Sequence, residues 1–244
     1  MDAIGQVRYV GVIKDLQGFV PDANRSCRDY VSDLIPIMPG VTQMDFIADE
    51  SVIIATDRLN HLPAGTIRLS EDQAFAIAMY SFDLGLNSQN DGKDNFFEVL
   101  NALLRERDGE KIRVMRPYLH HLWQGLEALP PFQGEVLRGI PREHLVLIQS
   151  KYHMGNDIHW SSFTSTTTSM QTAKGFAKTG GVIFKIRVSN GRSIFEYSTI
   201  QREREILLSP NSRFVVSAEC SLAPDGYYYL EMVQRGEGGA QVVF

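Results

Sequence analysis

The chain has 244 residues, 43% of them hydrophobic and 22% charged, the composition of an ordinary globular protein. Its formal net charge of −5 argues against a nucleic-acid partner gripped through phosphates. Its longest apolar stretches, such as "HLVLI" and "GVIF", are far too short to cross a membrane.

In chain order, "MDAIGQVRYVGVIKDL" lacks a basic n-region followed by a long apolar h-region. A cytoplasmic protein, or one exported without a recognisable leader, is therefore expected. "SCRDYVSDLI" reads as a helix and "SVIIAT" as a strand. "SEDQ" pairs Ser70 with Gln73 as a capping box, and Phe75, Met79, Phe82 and Leu86 follow at helical spacing. "NDGKDN" breaks that helix, and Asp94 is placed to cap the next, with Phe97, Leu100 and Leu104 on its apolar stripe. A third stripe, Met115, Leu119, Leu122, Leu126 and Leu129, ends at Pro130-Pro131. These stripes read as core.

Near residue 133 the pattern changes to short strands: "EVLRGI", "LVLIQ", "GVIFKIRV", "RSIFEY", "EILL", "RFVVSAEC" and "YYYLEMVQ". One short helix is expected from about Met170 to Lys178, with Ser169 as its N-cap. Helices first and strands later predict an α+β fold. The expected layout is an N-terminal extension over 1–56 and a domain over 57–244, helical over about 66–131 and β-rich over about 133–244. Cys27 and Cys220 read as reduced thiols, with a single disulfide as the alternative. The six histidines show no HExxH or CxxC partner spacing, so no metal site is expected.

Three places in the strand-rich half hold polar residues that strand logic leaves unexplained. Arg138 sits in an otherwise apolar strand ahead of Gly139, either as an edge arginine with a solvated head or as a fork for a phosphate or carboxylate. "WSSFTSTTTS" is either a polar turn into a helix or a strand whose Ser165 hydroxyl orients another side chain; no G-x-S-x-G elbow surrounds it. "TIQREREILL" holds Glu203 and Glu205 two apart. On a strand they share a face, with Arg202 and Arg204 on the opposite one. Gln201 stands at a third i−2 position, which leaves a shifted register open.

In this order, Arg-Gly, then aromatic-Thr-Ser-Thr, then Glu-x-Glu-Ile-Leu-Leu, the chain resembles the R-S-E class of mono-ADP-ribosyltransferases. "FTSTTTSMQTAKGFAK" looks like that family's serine strand and the helix after it, with Phe176 at its aromatic position. "EREILLSPNSRFVV" looks like its Glu-x-Glu strand, turn and following strand. The likeness covers about residues 66–235. One departure is Ser165-Thr166-Thr167, where the family usually has Ser-Thr-Ser.

The resemblance implies a mixed, largely antiparallel two-sheet β core around an NAD cleft. It implies cleavage of NAD to nicotinamide and transfer of ADP-ribose to a protein side chain, a post-translational modification used by effectors, toxins and endogenous enzymes. By the match, Arg138 would hold the NAD phosphates and Gly139 would offer backbone groups to the nicotinamide carboxamide. Ser165 would orient Glu205, and Phe176 would pack on the nicotinamide end. Glu205 would stabilise the oxocarbenium-like ribose, and Glu203 would meet the acceptor, where a Glu goes with arginine. Tyr197 to Gln201 would form a substrate-recognition loop. The implied partners are NAD, as co-substrate, and a target protein bearing an acceptor arginine. An NAD glycohydrolase with water as acceptor and an inactive NAD- or protein-binding module are the alternatives.

Overall fold

A computed structural model describes Leu16 and residues 18–235. The stretch read for a leader, residues 1–15, lies outside the described residues. The chain divides into two compact units.

The helical unit comprises the described residues up to Pro130 together with Ile194–Arg202. It holds α1 (Val31–Leu34), α2 (Met44–Asn60), α3 (Glu71–Tyr80), α4 (Phe96–Glu106) and α5 (Gly109–Ala128). The capping box forms as read: the Ser70 hydroxyl accepts from Gln73 N at 3.2 Å, and Gln73 Oε1 accepts from Ser70 N at 3.0 Å. Ala74, Phe75, Ile77, Ala78 and Met79 are buried behind it. Asp94 does not cap α4, whose N-cap is Asn95. Its carboxylate instead accepts from the Ser88 hydroxyl and from Gln89 N, tying down the loop before the helix.

"SVIIAT" is helix, not strand. Ile47, Ser51, Ala55 and Leu59 bury one face of α2 at four-residue spacing, and this outweighs the β-preference of Val52, Ile53 and Ile54. Residue 56 therefore lies inside a helix. "SCRDYVSDLI" is turns followed by the single-turn α1.

The second unit comprises residues 131–193 and the described residues from Glu203 onward. Its strands are β1 (Pro131–Ile140), β2 (Asp157–Trp160), β3 (Thr164–Thr167), β4 (Val182–Ser193), β5 (Glu205–Leu208), β6 (Ser212–Leu222) and β7 (Tyr228–Gln234), with α6 (Leu145–Lys151) and α7 (Met170–Ala177) between them. Strand order is β1-β3-β5-β4-β7-β6-β2, and β1 also pairs with β4. The pairings are antiparallel except β4 with β7.

The expected two sheets are thus joined, because β4 serves both groups. Along one edge nine of its twelve residues pair with β1; on the other Val182–Arg187 pair with β7, and then Arg192 and Ser193 with β5. Alternation along β1 and β4 sorts their side chains. Val136, Phe184 and Ile186 enter a core with Trp160, Phe214, Leu230 and Met232. Leu137 and Ile183 face the other way, against Ala173 and Ala177 of α7.

Two strands expected in this half do not form as read. "LVLIQ" is helix α6: a short apolar run has no period that separates strand from helix, and Pro141 and a 3₁₀ turn start a helix here. "RSIFEY" keeps strand form only to Ser193, then turns, with Ile194 O accepting from Tyr197 N and Ser198 N. Conversely "DIHW", not read as a strand, forms β2 on the edge beside β6.

Candidate active site

β1, β3 and β5 are adjacent in the strand-rich unit, so residues far apart in the chain meet there. Arg138 near the end of β1 donates from Nη1 to the carbonyl of Ser165 at 2.8 Å. The Ser165 hydroxyl hydrogen-bonds the carboxyl of Glu205, the first residue of β5.

Glu205 is only 6% exposed, and its carboxyl is buried. Burial pushes its pKa from the usual 4.5 up to about 7. The Ser165 hydrogen bond works against the rise, the nearby Glu203 carboxylate adds to it, and the Arg138 guanidinium opposes it. A buried acid flanked by a second carboxylate, an orienting hydroxyl and a guanidinium is the arrangement expected where a positive centre is to be met.

Glu203 reaches this neighbourhood by a route other than strand alternation. Gln201–Glu203 is a 3₁₀ turn, Arg204 takes the left-handed conformation at φ 47°, and the strand begins only at Glu205. A non-glycine residue there carries a penalty of about 1–2 kcal/mol, so neighbouring bonds must hold it. Thr167 Oγ1 donates to Glu203 O at 2.5 Å and accepts from Ser169 N at 2.9 Å. Thr168 N donates to Arg204 O at 3.4 Å. Arg202 and Arg204 are exposed on this turn, not ranged along the far face of a strand.

Gly139 has a packing reason to be glycine. A Cβ there would meet Ala173 O at 1.9 Å and Ala177 N at 2.6 Å, so α7 lies directly on the β1 backbone. Ser169 caps that helix, accepting from Thr172 N at 3.2 Å. Ala173 and Ala177 face the sheet, while Phe176 stands 52% exposed.

Tyr197 and Gln201 belong to the helical unit. Tyr197 is 1% exposed, and its hydroxyl accepts from Leu69 N at 3.1 Å and donates to Ile67 O. Ser198 O accepts from Arg58 Nε at 3.3 Å, and Thr199 N donates to the Ser81 hydroxyl at 3.0 Å. The segment is fastened to α2 and α3, with Tyr197 as an anchor whose side chain is already committed. Gln201, half-buried, opens the 3₁₀ turn. The sequence alone leaves Thr167 and Arg204 without roles; no sequence signal marks an arginine for the left-handed region.

Cys27 and Cys220 are free thiols, and burial raises both. Among the described residues no group of three or more His, Cys, Asp or Glu is placed to hold a metal, and no helix is long and apolar enough to cross a membrane.

Residues 55–222 match the family described as NAD:arginine ADP-ribosyltransferase. The chain is 32% identical over 139 residues to the putative NAD(+)--arginine ADP-ribosyltransferase Mav of Mycobacterium avium (strain 104), covering 57% of this chain and 16% of that protein. It is 29% identical over 151 residues to the NAD(+)--protein-arginine ADP-ribosyltransferase Tre1 of Serratia proteamaculans (strain 568), covering 61% of this chain and 29% of that one. The chain therefore spans less than a third of the length of either relative. Among solved structures, the fold is similar to that of the ADP-ribosyltransferase HopU1 of Pseudomonas syringae pv. Tomato DC3000, with a TM-score of 0.56, 23% identity, and coverage of 68% of this chain and 77% of that one.

Proposed function

We propose, from the premise that this chain belongs to the NAD:arginine ADP-ribosyltransferase family, that it transfers ADP-ribose from NAD to the guanidinium of an arginine on a target protein and releases nicotinamide. The observation that carries the reading is the buried Glu205 carboxyl, held by the Ser165 hydroxyl beside Glu203 and Arg138. Such a carboxyl stabilises a ribose that becomes oxocarbenium-like as the bond from C1′ to the nicotinamide nitrogen breaks and its electron pair leaves with neutral nicotinamide.

Each residue then has one task. Arg138 offers a planar fork to the NAD phosphates. Ser165 keeps the Glu205 carboxyl turned toward the ribose, where it binds the 2′-hydroxyl and faces the developing cation. Phe176 supplies an exposed ring for the nicotinamide end. Gly139 offers backbone groups to the nicotinamide carboxamide. Glu203 holds the acceptor guanidinium and takes its proton as the nitrogen attacks C1′. The positive charges arriving with NAD and the acceptor relieve the repulsion between Glu203 and Glu205. Gln201, the first residue of the 3₁₀ turn that ends at Glu203, is the residue we assign to acceptor recognition.

The test is purified protein with NAD labelled in both the nicotinamide and the adenosine, with agmatine as acceptor. Labelled ADP-ribosyl-agmatine and free nicotinamide are expected, and Glu205→Ala abolishes both. Glu203→Gln keeps nicotinamide release and loses transfer. Undiminished turnover in Glu205→Ala would remove that residue from the chemistry.

A further inference from the structure

The hydroxyl of Thr167 is tied at both ends to backbone, and one end is the residue proposed to choose the acceptor. It donates to Glu203 O at 2.5 Å and accepts from Ser169 N at 2.9 Å, the N-cap of α7. Thr167 also pairs directly with Glu205 across the ladder, and it is buried. Strand alternation puts Ser165 and Thr167 on one face of β3. The two hydroxyls divide the work: Ser165 serves the Glu205 carboxyl, and Thr167 serves the Glu203 backbone.

The Glu203 carboxylate is aimed by its backbone, and that backbone leaves strand geometry. A strand through Glu203 would place its side chain directly above that of Glu205. The left-handed Arg204 prevents this. An arginine holds that conformation only where other contacts over-determine it. The bonds from Thr167 Oγ1 to Glu203 O and from Thr168 N to Arg204 O bracket the strained residue.

We infer that Thr167 is a positioning residue for Glu203: its hydroxyl, clasped between the Ser169 amide and the Glu203 carbonyl, fixes the turn that directs the Glu203 carboxylate to the acceptor. The inference rests on the transferase reading, and it specifies that acceptor use and NAD cleavage separate at Thr167.

The experiment uses the full chain, NAD and agmatine, with Thr167→Val removing the hydroxyl at nearly constant shape. Hydrolysis of NAD without agmatine and transfer with it are measured side by side. Thr167→Val is expected to raise the agmatine KM about tenfold while hydrolysis stays within about twofold. Thr167→Ser, which keeps the hydroxyl, is expected to match the parent in both. Should Thr167→Val fail to fold, Thr167→Cys, a weak donor at the same place, takes over with a smaller rise in the agmatine KM and hydrolysis again unchanged. An unchanged agmatine KM overturns the inference, as does a parallel fall in both activities. A parent protein that releases no nicotinamide overturns the transferase reading itself. A parent active in both, with Thr167→Val indistinguishable from it, removes only the positioning role.

Discussion

Ser165 faces Glu205 and Arg138 at once: its hydroxyl hydrogen-bonds the buried Glu205 carboxyl, while its carbonyl accepts from Arg138 Nη1 at 2.8 Å. The neutral serine thus contacts a cation through its backbone and an acid through its side chain. Removing the hydroxyl removes one of the influences that hold the Glu205 pKa down. Ser165→Ala is therefore expected to raise it further. At pH 7 the variant should lose about tenfold in NAD turnover, and near pH 9, where the carboxyl ionises anyway, much of the loss should return. Rates at the two pH values check this; an equal loss at both would mean that Ser165 acts on something other than that proton.

The same carboxyl sets the acid limb of the parent enzyme. With its pKa raised to about 7, Glu205 is half protonated near neutrality in the free protein. Only the carboxylate can stabilise the oxocarbenium-like ribose. The value of kcat/KM for NAD reports the free enzyme, so it should fall as pH drops below about 7. Bound cations favour the ionised form, so kcat should hold to lower pH. Coincident profiles for the two parameters would contradict the assignment.

Stability should move the opposite way. The folded pKa of Glu205, about 7, lies above its ordinary 4.5, so between these values the native state holds a proton that the unfolded chain has lost. Stability is complete below about pH 4.5, declines through this window, and is lowest above about pH 7, by a total on the order of 3 kcal/mol. Glu205→Gln removes the buried charge. It should melt higher than the parent at pH 8 and nearly level with it at pH 4.5, while inactive throughout. Thermal melts of both proteins at the two pH values decide the matter; a variant less stable at pH 8 would show that the carboxylate is not strained by burial. A catalytic carboxyl held at a loss of stability is a familiar trade.

Signals confined to a few residues are readable from the chain alone. Ser70 and Gln73 announce α3 because a capping box is complete within four residues. The apolar stripe from Met115 to Leu126 announces α5, through Pro117, because one face of a long helix must be buried. Arg138, Ser165 and Glu205 are legible through their order and flanks, and adjacency of β1, β3 and β5 turns that order into proximity. What fails depends on packing or on backbone freedom. Val52, Ile53 and Ile54 favour a strand, and only burial of Ile47, Ala55 and Leu59 on one helical face overrules them. "LVLIQ" is too short to show its period. Glu203 and Glu205 are expected together for a strand reason and come together by a turn, since nothing local marks Arg204 for positive φ.

Two glycines of the α7 region separate packing from propensity and give the clearest mutational contrast. At Gly139 a Cβ would press on Ala173 O at 1.9 Å and on Ala177 N at 2.6 Å, both backbone atoms of a helix seated on β1. Neither strand nor helix can yield without breaking its own ladder, so Gly139→Ala should destabilise by about 3 kcal/mol or displace α7, and Phe176 with it. NAD turnover should fall with the helix. Gly175 lies inside α7, and a Cβ added there would have nothing within 4 Å, so Gly175→Ala meets open space and gains helix propensity. It should stabilise by roughly 0.5–1 kcal/mol. Urea unfolding of the two variants and the parent measures both signs in one experiment. A Gly139→Ala protein as stable as the parent would mean that α7 does not rest on the β1 backbone, and the case for Phe176 at the nicotinamide end would lose its support.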